Sequence, residues 1–214
     1  MPQTSPTPPL SEQQLRIIQT ARAAFLAKGI NAVTMDDIAR QLQMSKRTLY
    51  QLFADKETLL LACMRQNIEE RQQQTARLVQ QSSNMLETVL IDFQTRLREI
   101  TEVNPKVFTE ILRYPKVRRL FEEHRQANAE RAVLFLQNGV EQGLMRADID
   151  YELLYNVIAD SFEMIMREPY ISRYTPERLY RHLVLIYFRG CTTPRGTAIM
   201  DEFLRTTDGD TSAD

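Results

Sequence analysis

The residues whose types and spacing suit a definite chemistry lie between Thr34 and Lys56. From Ile38 to Ala54 there is no Asp or Glu, yet Arg40, Lys46 and Arg47 fall inside the stretch. The whole chain carries 27 basic and 28 acidic residues and a net charge of −1, so affinity for a polyanion has to come from a local patch. Lys46, Arg47 and Thr48 are consecutive. An arginine can pair both its donors with guanine O6 and N7, and a threonine meets a base edge or a thymine methyl. Two basic residues on a helix are ordinarily just a solvated face. Here the pair comes with a cap, a tight turn, a small Ala39 and the aromatic run "LYQLF", and together these indicate contact with a DNA groove.

Other chemistry is scarce. The two histidines, His124 and His182, have no Glu three residues before them, as a helical di-iron site would require. Cys63 and Cys191 lie far apart and form no metal or redox motif, which reads as two free, reduced thiols in a cytosolic protein. There is no Gly-rich phosphate loop and no nucleophile elbow. No enzyme activity, metal or cofactor is expected. No apolar run is long enough to span a membrane, and the expected location is the cytoplasm.

The elements that must position the basic stretch are helices. Glycine is scarce, at six residues, and apolar positions recur every three or four residues without sustained alternation. Residues 1–10, with four prolines and no charge, and the polar end 206–214 read as disordered tails. Ser11 and Gln14 form a capping box that starts a first helix, and Gly29 ends it. Leu15, Ile18, Ala21 and Phe25 are its inward stripe. Thr34 caps a second helix with Ile38, Ala39 and Leu42 inside, and Asp36 and Asp37 favour its positive end. Gln43 and Met44 leave room only for a tight turn. Ser45 caps a third helix anchored by Leu49 and Phe53, and Asp55 caps a fourth that runs to about residue 81. Further helices are predicted over 84–103, 105–114, 115–143, 151–167, 176–189 and 195–204. The fold class is all-α: a helix-turn-helix domain over 11–55, then a larger helical domain over 56–205.

Two short helices, a tight turn and a basic second helix form a helix-turn-helix, whose second helix offers its first residues to the major groove. The segment "IIQTARAAFLAKGINAVTMDDIARQLQMSKRTLYQLFADKETLL" resembles the DNA-binding half of TetR-type transcriptional regulators. The matching pieces are F-x-x-K-G, T-x-x-D-I-A, S-K-x-T-L-Y-x-x-F and D-K-E-x-L, over residues 13–60. The resemblance implies that Thr34 touches a phosphate and that Lys46, Arg47 and Thr48 face the groove, with Ser45 and Gln51 also expected among the DNA-binding residues. It also implies that Tyr50 and Lys56 hold phosphates. Gln43 stands where the family usually has Gly, which strains the turn if that residue needs positive φ. Residues 12–60 have a net charge of only +2, which suits a homodimer that doubles the phosphate contacts.

The resemblance gives the larger half two expected roles, dimerisation and small-molecule binding. The apolar helices at 151–167 and 176–189 can supply a four-helix dimer bundle through Leu154, Ile158, Phe162, Ile165, Leu179, Leu183 and Ile186. The same stripes would equally serve the interior of one chain. His124, Asn128 and Arg131 lie on one helical stripe and can orient an unknown small-molecule effector, with Phe93, Leu97, Phe108, Tyr114 and Phe162 lining an apolar cavity. Each of these residues could instead be plain core or an internally paired patch. The function that follows is a repressor that binds a palindromic operator as a homodimer and is released by a ligand. The alternative is a helical ligand-binding or interaction scaffold, which leaves the acid-free stretch unexplained.

Overall fold

Residues 10–208 are described by the structure, a computed structural model. Among the described residues every regular element is a helix, and the one β interaction is an isolated antiparallel bridge between Met145 and Thr192. The N-terminal unit is built from α1 (Glu12–Lys28), α2 (Met35–Gln41) and α3 (Lys46–Leu52). Their caps are those the side chains dictate. Ser11 and Gln14 form a reciprocal box at α1, Thr34 and Asp37 form another at α2, and Ser45 accepts the Thr48 N–H at α3. Gly29 ends α1 at φ +89°. Gln43 takes φ +53° in the turn between α2 and α3, so the missing glycine is met by a strained backbone.

α4 (Lys56–Gln81) starts at the Asp55 cap and is about 39 Å long at 1.5 Å per residue. Its first half belongs to the N-terminal core: Leu59, Leu60 and Cys63 are buried with Ile17, Ile18, Phe25, Ile38 and Leu49. The division drawn on the sequence between residues 55 and 56 therefore falls within a continuous apolar core. Val107 and Val117 from the larger half complete that core. Truncating a buried leucine such as Leu49 or Leu60 costs about 2–5 kcal/mol.

The larger half comprises α5 (Met85–Thr101), α6 (Lys106–Ile111), α7 (Pro115–Glu141), α8 (Tyr151–Ile165), α9 (Glu168–Ile171), α10 (Pro176–Cys191) and α11 (Pro194–Asp208). α7 packs on α4 and α8, and α10 packs on α5 and α8. A second core gathers Met85, Leu86, Leu90, Leu144, Met145, Tyr151, Cys191 and Met200. Gly143 lets the chain leave α7 at φ +69°. The single turn of α9 had no signal beyond its proline. The segment expected to be a tail from residue 206 is helical as far as it is described: α11 runs through Asp208, and Thr206 Oγ1 donates to Phe203 O at 2.8 Å. Leu10 likewise packs on the N-terminal core instead of joining a tail. The expected tail segments 1–9 and 209–214 lie outside the described residues.

Candidate nucleic-acid interface and ligand cleft

α3 is held from behind and free in front. Leu49 is fully buried and Phe53 nearly so, which fixes the helix on α2 and α4 and turns Lys46, Arg47, Tyr50 and Gln51 to solvent. Tyr50 is 47% exposed, which leaves its hydroxyl open to an external partner. Ser45 Oγ and Thr48 Oγ1 lie 2.7 Å apart, and Thr48 is half-buried. The Thr34 hydroxyl donates to Asp37 Oδ2 at 2.6 Å, so it is already engaged in its own cap. The same hydroxyl and the Thr34 N–H hold the Asp37 carboxyl below the usual carboxylate range.

Two features were hidden from the linear sequence. Lys46 Nζ is ion-paired with Asp36 of α2, so the stretch that is acid-free in sequence has an acid beside it in space. The pair is exposed and of the kind worth about 0–1 kcal/mol, small enough for a phosphate to displace. Lys56 is turned inward, with Nζ 5.9 Å from the Phe25 ring centroid. Burial lowers its pKa and the Glu110 charge opposes that shift, so in this conformation it serves the interior more than a phosphate.

A cleft of about 1090 Å³ opens between the N-terminal unit and the larger half. Leu26 of α1, Met64 of α4, Val103 beyond α5, Phe108 and Ile111 of α6, Phe121 of α7 and Phe162 and Met166 at the end of α8 give it apolar walls. Of the eight residues expected in a cavity, the structure puts only Phe108 and Phe162 there. Phe93 is core, stacked on Tyr180 with centroids 5.7 Å apart, and Leu97 is half-buried away from the cleft. Tyr114 sits at the junction, donating to Asn31 Oδ1 at 3.3 Å. The predicted polar stripe is spent within the fold or faces outward. His124 Nε2 lies 3.2 Å from Gln72 Nε2, Asn128 donates to the His124 carbonyl at 2.7 Å, and Arg131 is exposed. Partial burial lowers the His124 pKa. The stripe turns away because α7 packs on both α4 and α8, which leaves a different face of its first turns toward the cleft. That face carries Arg118 and Arg119, which the sequence reading passed over although "KVRRLF" was a visible signal.

The apolar stripes of α8 and α10 divide. Leu154 packs on the second core, Ile165 is buried, and Phe162 meets Tyr180 with centroids 5.6 Å apart, so these three serve the interior of their own chain. Ile158 is half-buried. The exposed apolar face of α8 is formed instead by Leu153, Val157 and Met164, with Leu153 61% exposed. On α10, Leu179 and Leu183 are half-buried, while Ile186 is 68% exposed. A helix that packs on its own chain along one stripe can offer only another stripe to a partner.

Among the described residues no group of His, Cys, Asp or Glu could hold a metal ion, and no helix is long and apolar enough to cross a membrane. A helix-turn-helix with an exposed basic face, joined by a long helix to a clefted helical body, defines a DNA-binding regulator. Residues 17–63 match the family model for bacterial regulatory proteins of the tetR family. The HTH-type transcriptional repressor KstR2 of Mycobacterium tuberculosis is 25% identical over 153 residues, covering 68% of this chain and 75% of the repressor. A transcriptional regulator from Saccharomonospora viridis, solved in complex with choline, superposes with a TM-score of 0.67 at 21% identity, covering 86% of this chain and all of that one. The fatty acid degradation regulator FadR of Bacillus halodurans gives a TM-score of 0.65 at 15% identity, covering 84% and 96%. Residues 17–63 thus match the DNA-binding part of tetR-family regulators, and about two thirds of the chain is similar to an HTH-type transcriptional repressor.

Proposed function

We propose that this regulator acts in the cytoplasm as a repressor, binding a palindromic operator as a homodimer and leaving it when a small molecule fills the cleft. In this reading residues 11–55 make the DNA contacts, and the chain beyond them dimerises and receives the effector. Arg47 reads a base edge, Lys46 and Tyr50 hold phosphates, and Thr48 and Gln51 flank them. Leu153, Val157, Met164 and Ile186 supply an apolar face for the second subunit. The two recognition helices then have to sit about 34 Å apart, one turn of DNA.

The observation that carries the reading is the double duty of α6. Phe108 and Ile111 line the cleft, while Glu110 between them accepts the backbone N–H of Asn31 in the loop leading to α2. A ligand that moves α6 therefore moves the loop that aims the helix-turn-helix. Release depends on a ligand that prefers the displaced arrangement, by the ratio of its affinities for the two. A small molecule bound by a neighbour of the same fold is in keeping with this use of the architecture.

The test is a fluorescence anisotropy titration of the protein against its own upstream DNA, at several salt concentrations, beside a scrambled duplex. Selective binding at two subunits per site is the expected result. Equal, weak binding to both duplexes that is also indifferent to Arg47→Ala would replace this reading with a helical binding protein that has no operator.

A further inference from the structure

We infer that the cleft takes an amphipathic anion, a carboxylate on a long apolar body, with Arg118 and Arg119 receiving its charged end. The inference rests on the reading of the cleft as the effector site. It follows from which of the lining charges are already spent. Arg71 is paired with Glu99, Arg125 with Glu122 and Asp160, and Arg22 with Glu70. Glu163 is taken by Arg167, which among the described residues leaves exposed Glu102 as the lining acid without a side-chain partner, one carboxylate against two arginines.

Arg118 and Arg119 line the same cleft and, among the described residues, neither has a side-chain partner. They lie in the first turns of α7, where the helix dipole adds positive potential and no acid stands in the first turn to cancel it. Glu57 reaches the start of this helix but accepts the Lys116 N–H at 2.9 Å. The cleft thus offers two free guanidinium forks beside walls such as Leu26, Phe108, Phe121 and Phe162. Both arginines are exposed at the cleft, and their guanidinium forks match carboxylate geometry. At about 1090 Å³ the cleft is at the upper end of ligand-site sizes, which suits an extended apolar body over a small ion.

The test holds the apolar body constant and changes the head. The chain has no tryptophan, so Phe108→Trp places a single indole in the cleft wall. Its fluorescence is titrated with laurate, 1-dodecanol and dodecyltrimethylammonium, all below their micelle-forming concentrations. Isothermal calorimetry repeats the series on the unsubstituted chain. Laurate is expected to bind about tenfold or more tighter than the other two, a difference of about 1.4 kcal/mol or more. Arg118→Gln with Arg119→Gln is expected to remove that advantage and leave dodecanol binding unchanged. Equal or tighter binding of the cationic amphiphile would overturn the anion assignment and leave the cleft as a ligand site. Laurate binding unaffected by the double substitution would overturn the role of the two arginines. No response to any of the three in either measurement would overturn the amphiphile assignment, while the regulator reading stands or falls on the operator titration.

Discussion

Glu110 and Asn31 are joined by a hydrogen bond of 2.9 Å across 79 residues of chain, from the Asn31 N–H to Glu110 Oε2. The carboxylate is buried, and Tyr114 donates to the Asn31 side chain from the same direction. Asn104 adds a third tie, its N–H donating to Leu26 O at 2.8 Å. Three positions around α6 thus grip the end of α1 and the loop that follows it. Glu110→Ala is expected to leave the Asn31 N–H without its acceptor and to cost about 1–3 kcal/mol. Glu110→Gln keeps an acceptor oxygen and should recover most of that loss. Thermal melting reads the stability and operator anisotropy reads the coupling. An alanine variant as stable as the parent would refute the role of this bond.

On the DNA face, base contacts and phosphate contacts separate by their signatures. Arg47→Ala is expected to weaken operator binding by about 1–3 kcal/mol and to relax selectivity at one base position. Tyr50→Phe is expected to weaken all duplexes alike, because a phosphate contact carries no sequence information. Asp36→Asn frees Lys46 and removes a negative charge from the interface, and about two- to fivefold tighter binding at low salt is expected. Anisotropy against operator and scrambled duplexes at two salt concentrations distinguishes the three.

The exposed apolar face of α8 and α10 predicts how the subunits come apart. Ile186→Glu with Leu153→Glu places two charges on that face without touching the second core. Sedimentation is expected to show monomers for this variant and dimers for the parent, with melting of the single chain little changed. Operator binding should fall with the dimer. Leu154→Glu is expected to unfold the chain instead, because Leu154 packs inward.

The turn at Gln43 stores strain that can be relieved. A non-glycine residue in the left-handed region costs about 1–2 kcal/mol, so Gln43→Gly is expected to raise stability by about 1 kcal/mol, seen as a higher Tm. Gln43→Val, with its branched β-carbon, is expected to lower it.

Both cysteines are buried, and burial pushes the Cys63 thiol up to about 12 and raises that of Cys191. A raised thiol pKa keeps the neutral, unreactive form at pH 7 and above, until the pH nears the shifted value. The native protein is expected to resist a thiol-specific chromogenic reagent at pH 8 and to react at both sites once unfolded in denaturant. Fast native labelling of Cys63 would mean that the N-terminal core opens readily.

Local chemistry settled much of this in advance. Ser11 with Gln14, Thr34, Ser45, Asp55 and Asn84 each cap the helix that follows, because a cap is decided by side chains within three residues of one another. Leu49 and Phe53 inside, with Arg47 and Tyr50 outside, followed from helical periodicity alone. The strain at Gln43 was legible only through the family resemblance, which has a glycine at that position. What the sequence could not decide was which of several apolar stripes each helix of the larger half would bury. Leu154 and Leu153 are adjacent leucines, yet one packs inward and the other faces solvent, because α7 and α10 approach α8 from one side only. His124, Asn128 and Arg131 looked like a ligand stripe until the packing of α7 turned them from the cleft and brought Arg118 and Arg119 to it. The pairing of Lys46 with Asp36, and of Glu110 with Asn31, likewise belongs to the tertiary structure. Hydrogen bonds and ion pairs between residues distant in sequence depend on how the helices dock, and no local pattern specifies that.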